Sequence, residues 1–171
     1  MKCIILYGHP GVGKLTVAKI LAKNLGYTLF HNHMVFNLVH DLYTQQEPEH
    51  RVLQGVLRKE ILESLSRSSI KGVVNTWVWE STNPQNHERV AHMQKLFDVV
   101  FVQLTCDEAE LMKRFANKDR VKDGKLVDKE FLKTYYKNKD VLSPIPNVDS
   151  IVIDTTNNTP EQTCNEILSK L

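Results

Sequence analysis

Residues 2–7 (KCIILY) form an unbroken apolar run, the pattern of a strand covered on both faces of a sheet rather than on one. A glycine-rich stretch follows. Leu15, Ala18, Leu21, Ala22 and Leu25 then recur at three- and four-residue spacing, predicting a helix over Lys14–Leu25 with Gly26 as its stop. Residues 27–31 (YTLFH) predict a second strand, and Asn32 is a candidate cap for a helix over 34–43. A polar connection at 44–49 contains Pro48. After it, Leu53, Leu57, Ile61 and Leu65, with Val52 and Val56 beside them, predict a helix to Ser66. Residues 72–79 (GVVNTWVW) are β-branched and aromatic and predict the third strand, followed by a helix over 84–97 with Pro84 in its first turn.

The fourth strand is predicted at Asp98–Thr105 (DVVFVQLT), with Asp107 capping a helix that carries Leu111, Met112 and Phe115. Residues 118–127 are basic and polar and contain Gly124, predicting a loop; 128–142 reads as a helix and 143–148 (SPIPNV) as a proline-broken connection. Ser150–Asp154 (SIVID) is the last strand, and 160–171 the closing helix. Five strands, each followed by a helical segment, predict a three-layer α/β/α domain with parallel strands and crossover helices.

A chain of 171 residues fits one domain spanning 1–171, and 42% hydrophobic residues are enough to fill its core. The formal charge of +2 lacks the dense basic face of nucleic-acid binders, so no nucleic-acid partner is expected. Cys3, Cys106 and Cys164 are odd in number and widely spaced, which suggests neither a disulfide framework nor a metal site. The apolar run at 3–7 is too short for a signal peptide or a membrane span, so the expectation is a cytoplasmic protein with no membrane partner, monomeric or a small homo-oligomer.

The chemistry begins at Gly8-His9-Pro10-Gly11-Val12-Gly13-Lys14-Leu15-Thr16. This segment fits G-x-x-x-x-G-K, and it stands between an apolar strand and a helix, the context in which that spacing makes a phosphate-binding loop. Glycines let successive N–H groups turn toward one anion. The helix that follows adds unpaired amides and the positive end of its dipole. Lys14 is the candidate for the outer phosphates, where charge builds during transfer. ATP with Mg2+ is the expected ligand. A strict P-loop has Ser or Thr directly after the lysine; this chain has Leu15 there, and Thr16 is the candidate for magnesium.

The shifted form G-x-P-G-x-G-K-x-T resembles the loop of adenylate kinases. The order of elements resembles the wider group of small P-loop kinases, including shikimate and gluconate kinases. LFHNH (residues 29–33), DGKL (123–126) and VIDTT (152–156) also look like segments of bacterial kinase-like ATPases of unassigned substrate. The resemblance implies a five-stranded parallel sheet of order 2-3-1-4-5 and a short lid at about 114–128. In that lid Arg114 and Arg120 stand where such kinases supply arginines over the triphosphate, with Lys113, Lys118, Lys122 and Lys125 around them and Gly124 as a pivot. Guanidinium forks suit this task because they grip phosphate oxygens and do not deprotonate.

In an open α/β sheet, ligands sit at the carboxyl ends of the strands. The second strand ends in His31-Asn32-His33, where shikimate-type kinases usually carry acidic residues. His31 or His33 is a candidate general base, and a hydrogen-bonded histidine at a helix start is an equally good reading. Grouping them with His40 as a metal site lacks ligand spacing. Arg58 is a candidate for an anionic acceptor, against the commoner role of a surface arginine, and Glu80 follows the third strand into the same region. Trp77 and Trp79 either wall a pocket or fill the core. The sequence thus predicts an ATP-dependent phosphotransferase acting on a hydroxyl or phosphate of a small molecule. The alternative is a nucleotide-binding switch or ATPase coupled to a protein partner.

Overall fold

A computed structural model describes residues 1–115 and 142–171. Its elements, in chain order, are β1 (Lys2–Gly8), α1 (Lys14–Leu25), β2 (Thr28–His31), α2 (Asn32–His40), α3 (Pro48–Ser66), β3 (Gly72–Trp77), α4 (Pro84–Leu96), β4 (Asp98–Thr105), α5 (Glu108–Phe115), β5 (Ser150–Asp154) and α6 (Pro160–Leu168). The five strands form one parallel sheet in the order β2-β3-β1-β4-β5. This is the order the resemblance implied.

The central strand explains the layering. Side chains alternate across a strand, and in β1 both sets are apolar. Ile4 and Leu6 pack with Val74, Val102, Leu104 and Ile153 of the neighbouring strands, and with α1 and α6. Cys3, Ile5 and Tyr7 pack on the opposite face with Val73, Trp77 and Phe101, against α2, α3 and α4. Each of these β1 side chains is fully buried. A strand covered on both faces has no reason to alternate polar with apolar residues, which is why KCIILY does not.

Several boundaries differ from the sequence expectation for local reasons. Helix α2 starts at Asn32, and His31 takes the N-cap position without a side-chain cap bond. Pro48 lies in the first turn of α3 rather than in the connection before it. The missing N–H of proline costs nothing at that position. The turn ahead of it is tied by Glu47 Oε2, which accepts from Thr44 N–H at 2.6 Å and from Thr44 Oγ1 at 2.8 Å. Strand β3 stops at Trp77, yet Trp79 beyond it is completely buried. Asn83 caps α4 by accepting from Gln85 N–H, and Thr159 with Gln162 closes a capping box at α6. Of the connection at 143–148, Ile145 enters the core and donates its N–H to the Tyr7 hydroxyl at 3.4 Å. The predicted loop at 118–127, nearly all of the helix at 128–142 and most of the proposed lid lie outside the described residues. Among the described residues no helix is long and apolar enough to cross a membrane.

Candidate active site

The turn after β1 is shaped by glycines in backbone conformations that side chains resist. Gly11 has φ 92°, and a Cβ there would collide with the ring of Phe115 at the end of α5. Gly13 has φ 101°, and a Cβ there would meet none of the described residues within 4 Å. Among the described residues the space beside Gly13 is open, at the first turn of α1, where unpaired amides and the helix dipole favour an anion. Lys14 folds back over the loop, its Nζ donating to the carbonyls of Gly8 and His9, both at 2.8 Å. His9 is buried, with Nδ1 2.6 Å from the Pro10 carbonyl. Burial holds its pKa below the usual histidine value; the Pro10 contact opposes this and the Lys14 charge adds to it. Val12 is buried under the loop, Pro10 and Leu15 are half-buried, and Thr16 is exposed.

Arg114 ties this loop to the far side of the sheet. Its Nη1 donates to the Val12 carbonyl at 3.4 Å and to Thr155 Oγ1 at 3.0 Å, and its Nη2 to the Thr155 carbonyl at 2.6 Å. Glu110 accepts from Nε at 3.1 Å one turn earlier in α5. Thr155 Oγ1 also lies 3.2 Å from the Val12 carbonyl and 2.9 Å from that of Thr105. The guanidinium therefore braces the loop from beneath α5, holding Val12 against the turn after β5. Arg120 lies outside the described residues.

At the carboxyl end of β2, His31 is in register with Thr76, and the rings of His31 and His33 stand 6.2 Å apart. Both are half-buried. Glu80 is also half-buried, and its carbonyl accepts from Asn83 N–H and Asn86 Nδ2. The exposed His40 stacks on Phe36 at 5.3 Å, and Phe36 meets the buried His50 edge-on at 5.6 Å. Among the described residues no three His, Cys, Asp or Glu side chains are grouped to hold a metal ion.

Arg58 has a setting that the apolar pattern of its helix did not suggest. The buried line on α3 is His50, Gln54 and Leu62, with the half-buried Arg58 between the last two. Leu53, Leu57, Ile61 and Leu65 pack only partly against the core, and Val52 and Val56 point outward. Arg58 Nη2 donates to Gln54 Oε1 at 2.6 Å, and Gln54 Nε2 reaches the His50 ring at 3.2 Å. Arg58 Nε is buried and has no hydrogen-bond partner among the described residues. Facing it from α4 is Arg89, whose guanidinium lies 5.1 Å from the centre of the Trp77 ring. Burial, reinforced by the nearby Arg89 charge, brings the pKa of Arg58 down to about 10; burial also lowers that of Arg89. The two arginines share a narrow cavity of about 20 Å³ with Phe30, Asn32, Asn75 and Trp77.

The sequence reading did not single out Arg89, Gln54 or Asn75. The signal for Arg89 was its spacing. It stands three residues after Asn86 and four before Met93, both buried, so it belongs to the inward face of α4. Trp77 proves to be both of the things weighed for it, a buried core residue and a wall of the cavity. Trp79 is core only, edge-on to the His87 ring at 5.0 Å.

A family model described as an AAA domain matches residues 4–133, a span that holds the phosphate loop, both histidines and both arginines of the cavity. The chain belongs to this AAA domain family. Several solved structures share the fold of this chain. A sugar kinase from Janibacter sp. HTCC2649 matches with a TM-score of 0.69 at 14% identity, over 99% of this chain and 93% of that one. A gluconokinase from Sinorhizobium meliloti 1021 matches with a TM-score of 0.63 at 16% identity, over 98% and 89%. Shikimate kinase from Aquifex aeolicus vf5 matches with a TM-score of 0.54 at 21% identity, over 99% and 95%. No curated protein matches this chain in a sequence search. The fold is that of the small P-loop kinases.

Proposed function

We propose that the chain is an ATP-dependent phosphotransferase that moves the γ-phosphoryl group of ATP to a hydroxyl or phosphate oxygen of a small molecule, working as a single domain in the cytoplasm. The observation that carries this reading is the loop itself. Gly11 and Gly13 hold left-handed conformations, open space lies beside Gly13, and Lys14 Nζ rests on carbonyls of its own loop. The amides of residues 8–16 and the start of α1 would cradle the triphosphate. On binding, Lys14 would exchange loop carbonyls for β- and γ-phosphate oxygens.

The exposed Thr16 hydroxyl fits a magnesium ligand, with phosphate oxygens and water completing the shell. Magnesium there would offset charge on the phosphates. Arg114 acts through the loop by holding Val12, and Arg120 is the proposed lid arginine. The acceptor would lie at the carboxyl ends of β2 and β3, near His31, His33, Arg58 and Glu80. As its oxygen attacks phosphorus and ADP departs, a hydroxyl acceptor would give up its proton to a histidine at the end of β2, whereas a phosphate oxygen has none to lose. Positioning and charge stabilisation supply most of the rate.

The test is a screen of small hydroxyl compounds and monophosphates for stimulated ADP release with Mg-ATP. Stimulation by a defined class, lost in His31→Asn or His33→Asn with ATP affinity retained, supports the reading. For a histidine base, the acid limb of kcat against pH should flatten in the same variant. ATP and magnesium binding with no acceptor stimulating turnover would overturn it.

A further inference from the structure

We infer that His50 and Gln54 form a proton-sensitive relay that keeps Arg58 anchored only while the His50 ring is neutral. The relay stands on the direction of its hydrogen bonds; its effect on an acceptor rests on the phosphotransferase reading above.

The three side chains follow one another at four-residue spacing on α3, so they stack along one line of the helix. A guanidinium only donates. Arg58 Nη2, 2.6 Å from Gln54 Oε1, therefore fixes which way the Gln54 amide points, its oxygen toward Arg58 and its nitrogen toward His50. That nitrogen lies 3.2 Å from Nδ1 and 3.3 Å from Nε2 of the His50 ring. A neutral imidazole offers an amide N–H a lone pair and an electron-rich face, and an imidazolium offers neither. Once protonated, His50 favours Gln54 turned end for end, with Oε1 accepting from the ring. The turned amide presents its N–H groups to Arg58, donor against donor, and the 2.6 Å bond is lost. His50 and Gln54 are both buried, so water is poorly placed to take over either end.

The groups facing His50 decide what its second proton meets. From α2 come the exposed His40, its ring centre 5.9 Å away and edge-on, and the uncharged Phe36. The turn ahead of α3 brings Glu47, whose carbonyl accepts the His50 N–H at 3.1 Å. The Glu47 carboxylate is exposed, and its pKa is held down chiefly by the bonds from Thr44, with a smaller pull from His50. On α3 itself the facing charge is Arg58, with Arg89 of α4 beyond it. A proton on His50 thus adds charge to a side of the domain that already carries two half-buried cations, and releasing Arg58 lets the charges separate. Trp77, on the wall of the Arg58 cavity, is in register with Tyr7, the residue before Gly8. The relay therefore runs from the start of α3 to the end of the sheet where the phosphate loop stands.

The test follows the ring nitrogens of His50 and the guanidinium nitrogens of Arg58 by NMR of the isotope-labelled full chain. The titration runs between about pH 8 and pH 5, the span in which histidines change charge. Both sets of signals should move with one midpoint, and the Arg58 signals should leave their bonded positions on the acid side. Gln54→Glu puts an acceptor at both ends of the link, so Arg58 should keep its bonded signals to the acid end. Gln54→Leu removes the link. Arg58 should then show the acid-side signals of the wild type at every pH, which reads the relay if the Glu variant folds poorly. In His40→Asn the midpoints of His50 and Arg58 should still coincide. Arg58 signals that stay fixed while His50 titrates, a His50 ring that takes up no proton while the fold persists, or coupling lost with His40 would each overturn the relay. For an acceptor found in the screen above, the acid side should raise the KM of that compound several-fold, leave the KM for ATP alone, and do neither in Gln54→Glu. A base at the end of β2 acts on kcat instead. Coupled signals without any stimulated turnover would keep the relay and remove the phosphotransferase; stimulated turnover with uncoupled signals would do the reverse.

Discussion

The phosphate loop and the arginine cavity stand at the same end of one sheet and offer positive charge by opposite means. The loop is mostly backbone: glycines at φ 92° and 101°, a helix start, and one lysine, all within nine consecutive residues. The cavity is lined by residues drawn from β2, α2, α3, β3 and α4. Amides turned toward an anion are neutral when the site is empty, so the loop is cheap to keep. Two half-buried guanidiniums are charged at all times, so the cavity burdens the fold.

That contrast can be broken most decisively at Lys14. Lys14→Ala should lower ATP turnover by about 100-fold or more and weaken ATP binding, as loss of a phosphoryl-stabilising cation does. The melting temperature should hardly move, because Lys14 is only half-buried. Unchanged ATP binding in the folded variant would remove the loop from the site altogether.

The glycines test the backbone half more finely. Gly13→Ala meets open space and should cost only the left-handed strain, about 1–2 kcal/mol. Gly11→Ala adds a collision with Phe115 and should cost clearly more. Denaturant unfolding of both variants measures the difference, and equal costs would mean that Phe115 does not wedge the loop.

On the side-chain half, Arg89→Leu should leave the melting temperature unchanged or raise it, since a desolvated cation with no acidic partner among the described residues is removed. Marked destabilisation would show that its contact with Trp77 outweighs the cost of its burial. The smallest effect concerns His9. Its folded pKa is depressed, so the unfolded chain takes up this proton first as pH falls. Stability from this group is therefore fully present above about pH 7 and declines as pH drops through the ordinary histidine range near 6.5 toward the folded value. Thermal melts of His9→Asn between those conditions should show a shallower acid-side loss than the wild type.

The two halves were also unequally legible in the sequence. The loop could be read because its chemistry is contiguous and its glycines have few other uses. The sheet could be read because β1 is apolar throughout and the helices between strands keep their period. The cavity was hidden by the same habit of reading. The helix at 48–66 was judged by its leucines, but its deepest line runs through His50, Gln54, Arg58 and Leu62, three polar residues at four-residue spacing. Arg58 was noticed for its charge and Glu80 for its place after a strand; only folding brought Arg89 opposite Arg58. Boundaries shifted where short-range bonds overrode the pattern, as when Pro48 opened α3 and His31 took the N-cap position at α2.

The grip of Arg114 and Thr155 on Val12 has a consequence for the order in which the protein matures. The nine-residue loop lies near the start of the chain, but β1 is flanked by β3 and β4, and its loop is pinned by a turn beyond β5. Contacts so distant in sequence form late and together. A nascent chain emerging from a ribosome would carry the whole motif long before the turn at Thr155, on which the loop rests, had been made.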